Sequence, residues 1–347
     1  MASRGGLARG ISLSLSVSLL LLLFCAAAQA SEIEPVVIVI VIFNRHPSPL
    51  DATRSPIPSV TPWLAKRGLT KDFLLALLHR ILLWDCASEC DYTCQHIITD
   101  QRIASAEPVV QFHGKWPFRR FLGMQEPFSV LFSLGNLWAH HDGLRKIRAR
   151  VPSTYTLRPF YIVLAHVGMA SWFFSALFHT RDFQATEELD YFAAGANVLY
   201  GLYYTAVRIF RLDRPSAQRR SALRAWTAMC LVLYLLHVAY LKGVRWDYTY
   251  NMAANVVVGV AQNILWTWFS VTSYQKSKSL WSIVPVAVVA WVMVAMSMEL
   301  FDFPPWLGCI DAHSLWHLMT IGPTVLMYNF LLKDTQDTMA GTQRYKA

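Results

Sequence analysis

The stretch FYIVLAHVGMASWFFSALFHTRDFQATEELDYFAAGANVLYGLYYTAV, residues 160–207, places a polar insert between two apolar runs. Each apolar run belongs to a segment of roughly the 20 residues that a helix needs to cross a bilayer. The insert, residues 175–192, holds a serine, a histidine and several acids, and ionisable groups are costly inside a membrane. The stretch therefore indicates two membrane-spanning helices joined by a short polar connection at one face of the membrane.

The composition of the whole chain also indicates membrane-spanning helices. The chain has 347 residues, of which 54% are hydrophobic and 15% are charged, whereas soluble domains carry about 25% charged residues. The formal net charge of +9 is explained without nucleic acid, because basic residues in membrane proteins mark cytosolic loops. We therefore expect an all-α membrane protein that contacts membrane lipids and has no nucleic-acid partner.

Residues 1–30 have the organisation of a secretory signal peptide. A basic start precedes the apolar run ISLSLSVSLLLLLF, and AQA at residues 28–30 forms an A-x-A-like cleavage site. The sequence predicts cleavage after Ala30, and the alternative is an uncleaved first helix. In either case residues 31–125 are expected in the secretory lumen.

The expected lumenal region, residues 31–125, carries cysteines. Its segment DFLLALLHRILLW, residues 72–84, favours a helix that packs or lies at the membrane interface rather than spanning it. Three cysteines follow at intervals of four residues: Cys86, Cys90 and Cys94. Cys309 is a candidate fourth member of this set. In an oxidising lumen this spacing favours disulfides over a zinc knuckle, and it leaves their connectivity open.

Hydropathy predicts seven spans within residues 126–335, followed by a cytosolic tail at 336–347. The spans are 127–142, 159–178, 190–210, 222–242, 251–272, 280–299 and 313–332. The first is short and contains His140 and His141. The expected fold is a seven-transmembrane-helix bundle with a small lumenal N-terminal region.

Loop charges predict the orientation of this bundle. The loops after the first, third and fifth spans are basic: Arg145, Lys146, Arg148, Arg150, Arg211, Arg214, Arg219, Arg220, Lys276 and Lys278. The loops after the second and sixth spans are acidic: Glu187, Glu188, Asp190, Glu299, Asp302 and Asp311. The positive-inside rule places the basic loops in the cytosol, which agrees with the lumenal start that the signal peptide requires.

This orientation brings polar residues of three spans to one lumenal depth. Ser175 and His179 end the second span, Asp190 opens the third, and His313 and His317 open the seventh. Residues four apart share one face of a helix, so the two histidines of the seventh span form a pair suited to a metal ion. Three imidazoles around Zn²⁺ leave one position open for water, as in catalytic zinc sites.

Each of these residues also has an ordinary structural explanation. Histidines near span ends occur as interface or cap residues, Asp190 could cap the third span, and Ser175 could be a small helix-packing residue. The case for a metal site therefore depends on the five residues occurring together. In such a site Asp190 would hold the water and take its proton, and Ser175 would donate to an oxyanion.

The motifs resemble those of a known superfamily. They are S-x-x-x-H at 175–179, Asp190 eleven residues later, and DAHSLWH at 311–317, with HGKWPF, QEP, TEELDYF, RWDYTYN and ELFDFPP in matching places. This set is similar to the CREST superfamily of seven-helix membrane hydrolases, and within it to the branch that remodels GPI anchors. The resemblance covers residues 84–335. The family's lumenal region usually has more cysteines than the three here, and residues 31–80 show no resemblance.

The resemblance implies a phospholipase A2-type activity that removes the sn-2 acyl chain from GPI-anchored proteins. It implies Zn²⁺ bound by His179, His313 and His317, with Ser175 and Asp190 beside the reacting carbonyl. Four more residues match the family in structural or supporting roles: Glu126, Asn136, Asp247 and Asn251. It also implies a multi-pass protein of the Golgi membrane, with the endoplasmic reticulum as the other candidate.

Two other functions stay open at the level of sequence. One is a ceramidase-like lipid amidase, which would use the same metal chemistry in the same leaflet. The other is a receptor or chaperone without catalysis, in which the metal is structural. The segments HGKWPF, RWDYTYN and ELFDFPP favour the GPI branch over the amidases.

Overall fold

A computed structural model describes residues 77–344, and this part of the chain is helical. The helices are α1 Cys86–Ala104, α2 Pro127–Arg150, α3 Arg158–Thr180, α4 Gln184–Phe210, α5 Ala217–Gly243, α6 Tyr248–Ser277, a 3-10 turn Leu280–Ile283, α7 Val284–Phe301 and α8 Ala312–Arg344. Isolated β-bridges occur in loops, and residues 77–344 contain no β-strand. The predicted all-α class is confirmed. The predicted signal peptide and residues 31–76 lie outside the described residues.

Five of these helical segments are long and apolar enough to cross a membrane. They are Arg158–Thr180, Ala217–Gly243, Tyr248–Ser277, Leu280–Phe301 and Ala312–Gly341. Helix α5 also exposes large apolar side chains along its length, among them Leu231, Val232, Leu235 and Leu236. Such a surface is favourable against lipid tails, which are as apolar as leucine side chains. The chain is therefore a multi-pass membrane protein.

Six helices form a closed ring. Helix α2 packs on α3, α3 on α4, α4 on α6, α6 on α7, α7 on α8, and α8 returns to α2. Helix α5 lies outside this ring and packs on α4. Glycines allow the close contacts inside it, because a methyl group at Gly143 would lie 2.4 Å from the Tyr328 ring, and one at Gly168 would lie 2.2 Å from the His140 ring.

The seven predicted spans each fall within one helical segment, but two boundaries differ. Helix α2 continues through His140 and His141 to Arg150, so the basic residues assigned to its following loop lie on its last turns. Helix α4 begins at Gln184 rather than at Asp190. The Thr186 hydroxyl accepts the Phe183 amide at 3.0 Å, which satisfies one of the free amides at that helix start. Asp190 therefore lies in the second turn of α4, and the N-cap explanation for it is wrong.

The three clustered cysteines lie on α1 and do not bond to each other. Cys86, Cys90 and Cys94 are exposed free thiols spaced one helical turn apart. Side chains one turn apart on a helix have Cβ atoms about 5–6 Å from each other, and a disulfide needs about 3.5–4.5 Å. The expectation that these residues form disulfides is therefore not borne out within the described part of the chain.

Candidate metal centre

Three imidazoles meet at one end of the ring, where α3 ends and α8 begins. His179 lies in the last turn of α3, and His313 and His317 lie in the first two turns of α8. One ring nitrogen from each lies within 4.8 Å of the others. His179 and His317 are buried, with 2% and 3% of their surface exposed, while the His313 side chain is 37% exposed. The cluster is therefore open to its surroundings on the His313 side.

The other ring nitrogen of two of these histidines is bound to a carboxylate. Glu126 Oε2 accepts from His179 Nδ1 at 2.7 Å, and Glu299 Oε2 accepts from His313 Nδ1 at 2.7 Å. An N–H donated to a carboxylate fixes the tautomer and leaves Nε2 with a free lone pair. These two Nε2 atoms lie 3.3 Å apart. Two nitrogens held tetrahedrally at about 2.0–2.1 Å from one zinc ion would have about this separation, so the donor set fits a metal ion.

His317 is oriented by groups of α2 instead of a carboxylate. Its Nδ1 lies 3.0 Å from Ser133 Oγ and 3.3 Å from the Ser129 carbonyl oxygen. The Asn136 amide donates to the His317 carbonyl at 2.7 Å. All three α2 residues are buried. Helix α2 therefore fixes both the ring and the backbone of His317.

An ammonium group lies behind Glu126. Lys115 Nζ is 3.1 Å from Glu126 Oε1 and 2.7 Å from Asp182 Oδ2. Burial alone would raise the pKa of Glu126, but Lys115 and His179 outweigh it and hold that pKa well below its usual range. Burial alone would lower the pKa of Lys115, but Glu126 and Asp182 outweigh it and raise that pKa. At this side of the site, each group therefore contacts the next in the series Asp182, Lys115, Glu126 and His179.

Ser175 and Asp190 occupy different positions from each other. Ser175 is buried, and its Oγ lies 3.2 Å from Ser133 Oγ. Ser175 therefore contacts the His317 ring only indirectly, through Ser133. Asp190 lies in the second turn of α4, at the same end of the bundle as the histidines. Within residues 77–344, the group that converges as metal ligands consists of the three histidines alone. The structure thus brings the five predicted residues to one end of the bundle, with Ser175 and Asp190 outside the ligand set.

Comparison with known proteins gives the family. A model of the Per1-like family matches residues 76–335. The chain belongs to this family. Protein PER1 homolog of Schizosaccharomyces pombe is 41% identical, over 77% of this chain and 81% of that protein, and Protein PER1 of Saccharomyces cerevisiae is 40% identical, over 74% and 79%. The Homo sapiens protein named GPI-specific phospholipase A2-like PGAP3 is 36% identical, over 73% and 77%. The predicted resemblance to the branch that remodels GPI anchors is confirmed, and the chain is a relative of post-GPI-attachment-to-proteins factor 3.

Four residues of this Per1-like site were not predicted as site residues: Lys115, Ser133, Asp182 and Glu299. Glu299 entered the sequence analysis only as a loop charge, although a carboxylate at the end of the apolar helix α7 is a usable signal. Ser133 carries no such signal, because serine is common in helix contacts. Of the family-matched residues, Glu126 and Asn136 support the histidines. Asp247 caps α6 through the Tyr250 amide at 3.0 Å, and Asn251 accepts from Asn255, so both are structural.

Proposed function

We propose that this chain is a zinc-dependent lipid ester hydrolase that removes the sn-2 acyl chain from the lipid of GPI-anchored proteins. The observation that carries the proposal is the set of three converging imidazoles with two carboxylates behind them. Family membership adds the substrate class, because relatives covering most of this chain are named for GPI-specific phospholipase A2-like activity.

The proposed topology has seven membrane-spanning helices, α2 to α8, with the histidines at the lumenal end. The histidines and Glu126 lie where α3 ends and where α2 and α8 begin, while Arg148, Arg211 and Arg214 lie at the opposite helix ends. The positive-inside rule places the latter in the cytosol. A lumenal site can meet the ester bonds of a lipid whose headgroup lies in the lumenal leaflet. By family resemblance the compartment is the Golgi.

In the proposed mechanism, the protein binds and orients one metal ion and moves protons around it. Zinc held by His179, His313 and His317 would supply a nucleophile at neutral pH and polarise the ester carbonyl. A carboxylate oxygen of Asp190 accepts the proton of the attacking water and returns it to the leaving glycerol oxygen. The Ser175 hydroxyl donates to the negative charge that develops on the carbonyl oxygen. The products are a free fatty acid and a lyso-GPI lipid.

An acyl chain bound at the site needs an apolar path into the bundle, and one apolar groove lies between α3, α4 and α5. The apolar groove between these helices has a volume of about 440 Å³ and is lined by Val163, Val167, Tyr200, Cys230 and Leu231, among others. Its nearest α3 residue lies 12 residues before His179, which is about 18 Å along a helix. The groove therefore lies deeper in the bundle than the histidines, at a depth that the apolar part of an acyl chain would reach from an ester bound at the site.

A cellular experiment tests the proposal. Wild type, His313→Ala and His166→Ala are produced at matched levels in cells that lack the endogenous remodelling enzyme. His166 is an exposed histidine of the same helix as His179, so its variant controls for the loss of an imidazole. Mass spectrometry then measures the sn-2 chains on a GPI-anchored reporter.

We expect wild type and His166→Ala to remove unsaturated sn-2 chains, which the cell then replaces, and His313→Ala to leave them in place. Equal remodelling by all three proteins would contradict a catalytic role for the histidines. If none of them remodels the reporter, the substrate is not a GPI lipid, and ceramide hydrolysis is measured next.

A further inference from the structure

The segment between α1 and α2 crosses the lumenal end of the bundle and contacts both halves of the histidine site. We define the strap as residues 111–119, QFHGKWPFR. One half of the site is His179 at the end of α3. The other half is His313 and His317 at the start of α8, which follow the loop at residues 302–311. The two halves are separated by more than 130 residues of sequence, so contacts in space must set their relative position.

The strap holds the loop before α8 at two places. Both carboxylate oxygens of Asp302 accept from it, one from Gln111 Nε2 at 2.8 Å and one from Trp116 Nε1 at 2.7 Å. The Arg119 amide donates to the Gly308 carbonyl at 2.7 Å. Charge-assisted hydrogen bonds of this kind are stronger than neutral ones. The loop is therefore fixed at Asp302, directly after α7, and at Gly308, five residues before His313.

The neighbouring side chain of the strap reaches the other half of the site. Lys115 binds Glu126 and Asp182, and Glu126 binds His179. Successive side chains of an extended segment point to opposite sides, so Lys115 and Trp116 can contact different halves. The strap thus joins the α3 half and the α8 half through two adjacent residues.

A tight turn fixes which residues face each half. Phe112 and Lys115 exchange two backbone hydrogen bonds at 2.7 and 2.9 Å. The two central residues, His113 and Gly114, both have positive φ, 51° and 79°, which is the pattern of a type I′ turn. Glycine favours such a φ, and a side chain at Gly114 would meet nothing within 4 Å. His113 and Gly114 therefore form the backbone turn that determines which half of the site Lys115 and Trp116 each face.

The loop that the strap holds passes directly into the first turn of α8. The Trp306 amide donates to the Ile310 carbonyl at 2.7 Å, which closes the loop. Asp311 then accepts the Ser314 amide at 2.8 Å and caps α8, while its own amide donates to Ser314 Oγ at 3.0 Å. A displacement of this loop would therefore move the turn that carries His313.

We propose that the strap fixes the α8 histidines against His179, with Gln111 and Trp116 as positioning residues for the metal ligands. The inference rests on the proposed function for the metal, but its geometric part concerns the protein alone. A strap that merely closed a surface loop would affect the loop and leave metal affinity unchanged.

The test uses the full chain purified in detergent, as wild type, Gln111→Ala/Trp116→Phe and Trp306→Phe. The double variant removes both donors to Asp302 and keeps an aromatic ring at 116. Trp306 is a matched control, because its ring lies in the same loop and is 59% exposed. If the double variant does not fold, Asp302→Asn is used instead. It weakens the hydrogen bonds from Gln111 and Trp116 by changing their acceptor.

Two readouts are taken. Hydrogen exchange of residues 306–317 is measured in metal-free protein, and zinc affinity is measured by competition with a chelator. We expect the double variant to exchange about tenfold faster there and to bind zinc about tenfold more weakly, the lower end of the range for groups behind ligands. We expect Trp306→Phe to match wild type in both.

Faster exchange with unchanged zinc affinity would overturn the positioning role, and so would unchanged exchange. If wild type itself binds no zinc, the metal part of the proposed function fails. The exchange result then tests only whether the strap fixes the loop before α8. Faster exchange in the double variant would support this role, and equal exchange would overturn it.

Discussion

Glu299 and Glu126 hold His313 and His179 in the same way, each through one carboxylate oxygen at 2.7 Å from Nδ1. Glu299→Gln keeps an acceptor for the His313 N–H and removes the negative charge that raises the basicity of the ring. We expect zinc affinity to fall about 10–100-fold, as measured by chelator competition on purified protein. Glu187→Gln is the control, because Glu187 accepts from Trp246 and supports none of the three histidines. Equal affinity in wild type and Glu299→Gln would contradict the metal centre.

The two linked serines are expected to differ. Ser133 contacts His317 at 3.0 Å, whereas Ser175 reaches that ring only through Ser133. Ser133→Ala should therefore weaken zinc binding. Ser175→Ala should leave zinc binding within about twofold of wild type and lower kcat by about 10²-fold if its hydroxyl serves the oxyanion. Zinc titration and fatty-acid release, measured on the same preparations, separate the two roles. Weaker zinc binding in Ser175→Ala alone would reverse the assignment.

At the scale of helices, the contact of α2, α3 and α8 sets where the histidines meet. Gly168 of α3 faces the His140 ring of α2, which in turn contacts the Tyr328 hydroxyl of α8 at 2.9 Å. Gly168→Ala would place a methyl group into that ring, and overpacking of this kind costs about 1–3 kcal/mol. We expect a lower Tm in detergent. Gly259→Ala is the matched control, since a methyl group there meets nothing within 4 Å. The same Tm for both variants would contradict the tight packing.

The three histidines could be predicted from the sequence because their signals are local. The four-residue spacing of His313 and His317 survives in α8, and the loop charges correctly placed His179 at the same end of the bundle. The start of α4 was predicted too late in the sequence. The Thr186 cap lies within a polar stretch, in which hydropathy does not show where the helix begins. Ser133 and Glu299 carry no spacing signal, since they meet histidines across 184 and 14 residues, and Lys115 reaches His179 only through Glu126. Only the packed ring of helices shows those contacts.

At the scale of the whole molecule, the helix ends differ in charge and function. The histidine end carries Glu126, Asp182, Glu187 and Glu299 together with Lys115, and the opposite end carries arginines on the last turns of α2 and after α4. A lipid-remodelling site that works on lumenal anchors must face the lumen. The proposed lumenal site therefore requires the N-terminal region in the lumen and residues 336–347 in the cytosol.

Glycosylation mapping tests that orientation. The sequence has no N-x-S/T acceptor of its own, so added acceptors report without background. An acceptor inserted between residues 55 and 56 should be glycosylated in cells, and one appended after Ala347 should not. The readout is a gel shift that endoglycosidase removes. Modification of the C-terminal acceptor alone would place the histidines in the cytosol and contradict the proposed substrate access.

We propose that the three histidines hold a metal ion that cleaves the sn-2 ester of a GPI lipid. The most direct test of this proposal is fatty-acid release from a purified GPI lipid by the purified protein in lipid nanodiscs, followed by mass spectrometry. We predict release of the sn-2 acid by wild type, loss of release after chelation, recovery on adding Zn²⁺, and no release by His317→Ala under any of these conditions. Release that persists in the chelated protein and in His317→Ala would contradict metal-dependent hydrolysis at the three histidines.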